Sequence, residues 1–224
     1  MIGLRILRRR RAVTVEAARR FLDVPVAVVS DCMARMTAGG ATLRPMHDGT
    51  PMAGAAFTVK TRPGDNLMIH KALSLAGPGD VIVVDGGGDL TNALIGEIMS
   101  GKARQFGLAG LVIHGAVRDA GALRSASFPV FAAGVTHRGP YKDGPGEINV
   151  PIAIDGMVIE PGDLIVGDDD GVLCIPLDSV ESLHTAARER MALEARMVVA
   201  IRDGTEDTSW VDATLARIGC PIET

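Results

Sequence analysis

The stretch from Leu94 to Arg124, LIGEIMSGKARQFGLAGLVIHGAVRDAGALR, constrains this chain more than any other. It sets a helix-length segment between glycine-rich punctuation and a short apolar run. Glu97 falls near the helix start, after Asp85-Gly86-Gly87-Gly88-Asp89, and Lys102 and Arg104 fall in its last turns. That charge order suits a helix dipole, and Gly107 supplies a C-terminal stop. Leu111-Val112-Ile113 reads as a buried strand ending at Gly115. Arg118 and Asp119 then stand on a loop leaving a sheet, where scaffold-held loops often carry chemistry.

The residue types in this stretch suggest a reaction. Glu97 and Asp119 are hard oxygen ligands suited to Mg²⁺ or Mn²⁺. The Arg118 fork can hold a carboxylate or a developing enolate oxygen. Backbone N–H groups at the helix start, from Leu94, Ile95, Gly96 and Glu97 to Ile98, are placed to bind an anion. Together they describe a site for a small 2-oxo acid whose enolate must be stabilised. The plainer reading is a surface Arg–Asp pair and a capping Glu. For Arg118-Asp119 taken alone, the plainer reading would prevail.

Composition narrows the class. A chain of 224 residues makes about one large domain. It is 47% hydrophobic but only 3% aromatic, so its core must be built from Val, Ile, Leu, Ala and Met. No apolar run approaches the roughly 18 residues of a membrane span. A net charge of −4 argues against a general nucleic-acid binder. Cys32, Cys174 and Cys220 form no CxxC pair, so neither a zinc site nor a disulfide framework is indicated, and a reducing cytoplasm fits best.

Taken in order, residues 1–13 are basic and read as a partly disordered arm, its Arg8–Arg11 run a solvated tail. Thr14 caps a short helix, and Val24–Met36 gives a second. Ala53–Lys60 and Val81–Val84 read as strands, with a helix from Asp65 or Asn66 to Ala76 between them. His70 on that helix reads as structural or exposed. Pro129–Ala132 is a further strand, and residues 134–147 read as a mobile loop. Asp155-Gly156 turns a hairpin, and Asp168–Asp170 read as a turn with solvated carboxylates. Leu177–Ile201 is the longest helical segment. Its narrow face carries Leu183, Ala187, Met191, Glu194, Val198 and Ile201. Glu194 is thus a charge in an apolar stripe, and such a charge usually has a partner. The strand and helix alternation indicates a single α/β domain over residues 14–204. A tail over 205–224, holding Trp210, is expected to pack on the surface or on a neighbouring subunit.

An acid, a gap, then Arg-Asp resembles the motif of the RraA-like superfamily. Ser30-Asp31, Gly54–Val59, Pro78–Asp85, Pro161-Gly162-Asp163 and Gly167–Val172 also resemble family blocks, in the expected order. The resemblance covers roughly residues 24 to 204. That superfamily includes metal-dependent pyruvate aldolases acting on 4-hydroxy-4-methyl-2-oxoglutarate and 4-carboxy-4-hydroxy-2-oxoadipate. It also includes the regulator of ribonuclease activity for which it is named. The resemblance implies a compact β-core flanked by helices, of the swivelling β/β/α type, assembled as a homotrimer or hexamer. It implies a divalent metal held by Asp119 and Glu97, with Glu194 as an acid supplied by a neighbouring chain. Arg118 would stabilise the enolate, and oxaloacetate decarboxylation would be a side activity. Glu97 departs from the Asp of the aldolase motif by one methylene, which leaves the substrate open. The alternative is a non-catalytic regulator that binds a ribonuclease complex, but that role needs neither the acids nor the arginine. A methyltransferase reading finds no support, since Gly86-Gly87-Gly88 does not make a GxGxxG pattern. His114, His137 and Arg138 are candidates for the substrate's distal end, each equally open to a structural role.

Overall fold

The computed structural model describes residues 2–37, 39 and 42–221. The chain opens with strand β1 (Leu4–Ile6) and the short helices α1 (Val15–Arg19) and α2 (Val26–Cys32). The Thr14 side chain caps α1 by accepting from the Ala17 N–H at 3.1 Å, as its position before the helix predicts. The Asp168 carboxylate accepts the Val26 N–H at the head of α2, so this member of the acidic turn is an anchor and not merely solvated.

Strands β2 (Arg44–Pro45) and β3 (Met52–Thr61) lead into helix α3 (Leu67–Leu73) and strand β4 (Asp80–Asp85). Strand β5 (Ala93–Ile95), helix α4 (Glu97–Gln105), strand β6 (Gly110–Val117) and helix α5 (Ala120–Arg124) make up the organising stretch. Strands β7 (Val130–Val135) and β8 (Gly146–Ile148) follow. The hairpin β9 (Ile152–Ile154)–β10 (Met157–Ile159) turns on Asp155 and Gly156, both at positive φ, as an Asp-Gly turn demands. Strands β11 (Leu164–Asp168) and β12 (Gly171–Ile175) form a second antiparallel pair, and helices α6 (Val180–Arg202) and α7 (Ser209–Arg217) close the chain.

The main sheet runs β1-β8-β3-β4-β6-β7-β2, with β5 beside β6 and β11 beside β3. β3, β4, β6 and β7 are parallel neighbours. Alternate side chains of these strands enter two different cores. Phe57, Ile82, Val84, Leu111, Ile113 and Val130 pack with α3 and α4 through Met68, Ile69, Met99 and Ala103. Ala56, Val81, Val83, Val112 and Phe131 pack with the β9–β10 hairpin through Ile152, Ile154, Met157 and Ile159. A sheet covered on both faces explains why Val81–Val84 and Leu111–Ile113 are continuously apolar. Each buried Val, Leu or Ile contributes roughly 1.5–3 kcal/mol relative to exposure.

Within the basic N-terminal segment, expected as a partly disordered arm, residues 4–9 are held against the sheet. β1 pairs in parallel with β8, and Arg5 meets the buried Glu147 at 2.6 Å. Arg9 grips Asp80 with two nitrogens, at 2.7 and 3.2 Å, and lies over the Phe57 ring. Buried carboxylates draw these arginines in, which a run of arginines in a sequence does not reveal.

Chain contacts divide the protein into two units, Met1–Ala187 and Arg188–Thr224. The break falls inside α6. Ala187 is the last buried residue of that helix, and Val198 and Ile201 are exposed. In the second unit α7 buries none of its residues, and Trp210 is 65% exposed.

Candidate active site at the end of β6

β6 delivers Arg118 and Asp119 just past its C-terminal end, inside the sheet between β4 and β7. The Arg118 N–H donates to the Ile95 carbonyl at 3.0 Å, so pairing with β5 fixes where the turn begins. Asp119 adopts a left-handed backbone (φ 56), which Asp tolerates better than most residues. Its side chain makes no cap bond to α5. Instead Asp119 Oδ2 accepts the Glu97 N–H at 3.1 Å and lies 3.7 Å from Arg118 Nε. Gly96 makes this approach possible. A Cβ placed there would stand 2.3 Å from Asp119 Oδ2 and 2.9 Å from Arg118 Cγ.

Arg118 and Asp119 border a cleft of about 290 Å³, whose walls also carry Asn66, His70, Ile98 and Lys142. Of the predicted substrate-binding residues, Leu94, Ile95, Gly96, Ile98 and Arg118 line this cleft. Glu97 is absent from that lining and borders a separate recess with Ser100, Gly101 and Arg104. The expected row of free anion-binding amides is also altered, because Asp119 takes the Glu97 N–H. Arg118 and Asp119 also border a second recess of about 320 Å³ with Thr136 and His137.

Four charged or ionisable residues line the cleft: His70, Arg118, Asp119 and Lys142. Burial pushes the His70 imidazole below its ordinary value, and Lys142 and Lys102 push it the same way. His70 is therefore held toward its neutral form. Asn66 stands one helical turn before it. The Asn66 side-chain N–H donates to the Leu94 carbonyl at 2.9 Å, so Asn66 ties α3 to β5 and not to its own helix end. Its Oδ1 is buried without a hydrogen-bond partner among the described residues.

Sequence reasoning did not assign His70, Asn66 or Lys142 to the cleft. The helix periodicity that aligns Asn66 with His70 was the available signal. His114 is placed elsewhere, 3.6 Å from both Asp85 and Asp155 and 14% exposed. The Arg138 carbonyl accepts the Ala93 N–H. Glu194 accepts from Arg190 at 2.7 Å, one turn earlier in α6, so the charge in the apolar stripe has its partner.

Among the described residues no three His, Cys, Asp or Glu side chains gather as a metal cage. Mg²⁺ does not need one, since it is commonly held by one or two carboxylates with water and substrate oxygens. Asp119, 41% exposed and fixed through one oxygen, fits that donor set.

A family model described as RraA-like, Aldolase/RraA, matches residues 26–174. The chain belongs to the RraA-like family. This member is 40% identical over 189 residues to a protein of Halalkalibacterium halodurans provisionally named 4-hydroxy-4-methyl-2-oxoglutarate aldolase, covering 84% of this chain and 90% of that one. Its structure resembles an uncharacterized protein from Pseudomonas syringae pv. tomato with a TM-score of 0.78, at 27% identity over 86% of this chain and 91% of that one. It also resembles the RNA-processing inhibitor RraA from Thermus thermophilis, with a TM-score of 0.64 and 33% identity over 69% and 93% of the two chains. The RraA-like fold expected from the sequence blocks is the fold observed.

Proposed function

We propose that this RraA-like protein is a divalent-metal-dependent aldolase that cleaves a 4-hydroxy-2-oxo acid and releases pyruvate. The observation that supports it most is the Arg118–Asp119 pair at the cleft, with Asp119 held by the Glu97 N–H. The likeness to the aldolase-named relative favours the same class.

Asp119 would hold Mg²⁺ or Mn²⁺, with the Glu97 carboxylate acting from the neighbouring recess through water. Such an ion polarises a 2-oxo group and stabilises enolate charge. Arg118 binds the substrate carboxylate or the enolate oxygen with its planar fork. The 4-hydroxyl loses its proton to a base, the C3–C4 bond breaks, and its electron pair moves into the enolate. His70, held toward neutrality at the cleft, is suited to take that proton. Protonation of the enolate carbon yields pyruvate. Oxaloacetate decarboxylation passes through the same enolate without needing the hydroxyl base, and is the proposed side activity. In this reading Glu194 of a neighbouring copy serves the site within a homotrimer or hexamer, and the protein works in the cytoplasm. No described helix is long and apolar enough to cross a membrane.

The likeness to the RNA-processing inhibitor favours a second reading, regulation of a ribonuclease by protein binding. Pyruvate release from a panel of 2-oxo acids, with Mg²⁺ and with a chelator, separates the two. Metal-dependent release supports the aldolase. No release from any panel member with Mg²⁺ or with Mn²⁺ would sink it.

A further inference from the structure

Asp65 is a wholly buried carboxylate with four donors around it. Its Oδ1 accepts the Leu67 N–H at 2.9 Å. Its Oδ2 accepts the N–H groups of Asp143 at 2.7 Å and Gly144 at 2.9 Å, and Arg62 Nη2 at 3.1 Å. One carboxylate thus joins the head of α3 to the loop between β7 and β8. Backbone pairing reinforces the junction, because the Asn66 N–H donates to the Tyr141 carbonyl and the Tyr141 N–H to the Gly64 carbonyl. Arg62 also lies over the Tyr141 ring. Further along, Asn92 Nδ2 donates to the Gly139 carbonyl. The loop so held carries Gly139, Pro140 and Lys142, which form one wall of the cleft beside Arg118 and Asp119.

Burial alone would raise the Asp65 carboxyl above its ordinary value. The three amides and the Arg62 charge outweigh that and hold it below. The clamp therefore stays charged through the neutral range.

We propose that Asp65 is a positioning residue: it clamps the 139–144 loop against α3 and so sets the cleft wall that carries Lys142. It touches no substrate and acts through the loop. Its consequence for turnover rests on the aldolase reading, whereas its consequence for the loop does not.

The test uses the full-length Asp65→Asn protein. The amide variant keeps the size but loses the charge and presents an N–H₂ where an acceptor stood. Amide hydrogen exchange is measured at Asp143 and Gly144, with Val83 of β4 as a core reference. Exchange at the loop amides should speed up by about tenfold or more while Val83 stays protected. Oxalate with Mg²⁺, a non-reacting mimic of an enolate, should bind more weakly. If pyruvate is released, KM should rise more than kcat falls. In the double variant Asp65→Asn/Lys142→Ala the losses should not add, since both act on one wall. Arg62→Gln, on the exposed side of the clamp, should give a weaker version of each effect and remains informative if Asp65→Asn does not fold. Unchanged loop exchange overturns the clamp. Faster loop exchange with unchanged oxalate binding overturns the positioning role. A parent that releases no pyruvate defeats the aldolase reading alone, since loop exchange still reports on Asp65.

Discussion

The Glu97 N–H donates to Asp119 Oδ2 at 3.1 Å, across 22 residues of sequence. Two acids that look like a matched pair in the sequence thus meet as backbone and side chain. Glu97 fixes the position of Asp119 before its own carboxylate is considered, and Gly96 keeps the space between them open.

Gly96→Ala is therefore expected to disable the site without disturbing the core. The new methyl would stand 2.3 Å from Asp119 Oδ2, so the carboxylate must leave the Glu97 N–H. Its backbone is extended (φ −155), which alanine adopts freely, so no backbone strain confuses the result. Thermal melting should stay near the parent's, and pyruvate release should fall steeply. An active Gly96→Ala protein would show that Asp119 does not need this position.

Asp119→Asn preserves the shape and still accepts the Glu97 N–H, but loses the charge that suits a divalent ion. Turnover should be lost at metal concentrations that saturate the parent, with little change in folding. Turnover at the parent's rate would remove Asp119 from the metal site.

Arg118→Lys keeps a positive charge and loses the two-pronged planar geometry. Loss of about one charge-assisted hydrogen bond, roughly 1.5–3 kcal/mol, corresponds to about a ten- to hundred-fold fall in catalytic efficiency. Parent-like efficiency would show that Arg118 does not contact the reacting group.

The parts of this architecture that could be read from sequence are those with local causes. Val81–Val84 and Leu111–Ile113 announce a sheet covered on both faces because every residue in them is buried. Thr14, Gly107 and Asp155-Gly156 mark their helix and hairpin through their own backbone needs. Arg118 and Asp119 stood out for the same reason, a charged pair just past an apolar strand. What escaped has distant causes. Residues 134–147 read as a mobile loop because glycine, proline and charge look alike in loose and anchored loops. The anchor is Asp65, 78 residues before Asp143. The arm holding Arg5 reads as partly disordered because its partner Glu147 lies 142 residues away.

His70 gives the site a pH signature. Its imidazole lies below the ordinary value of 6.5, through burial and through Lys142 and Lys102. A depressed imidazole contributes stability that is present above its unfolded value and is lost as pH falls through the folded value. Stability should therefore decline as pH drops from about 6.5, and catalytic efficiency should fall at lower pH, through the depressed folded-state value, if His70 takes the hydroxyl proton. The other charged groups bordering this cleft are Lys142, Arg118 and Asp119, with Lys102 close by. His70→Gln should flatten the acid limb of both profiles. An unchanged rate profile in that variant would remove His70 from proton transfer.

Glu97→Gln isolates the carboxylate from the backbone. The variant keeps the N–H that holds Asp119, so the site geometry should survive. It loses a negative charge in the first turn of α4, where the helix dipole favours one, at a cost of about 0.3–1 kcal/mol in stability. Glu97 borders a recess other than the one that Asp119 lines, so its electrostatic help to a cation at Asp119 would pass through water. A charge acting at that remove is worth about as much as the dipole effect, which is roughly two- to fivefold in metal affinity. Titrating activity against Mg²⁺ should then show a right-shifted curve that reaches nearly the parent's maximum. Glu97→Asp should restore the parent's curve, since the charge returns and the backbone is unchanged. A Glu97→Gln curve superimposable on the parent's would leave Glu97 with its backbone role and its dipole term alone. A collapsed maximum would instead mean that the carboxylate reaches the ion directly, and the side chain must then leave its recess when metal binds.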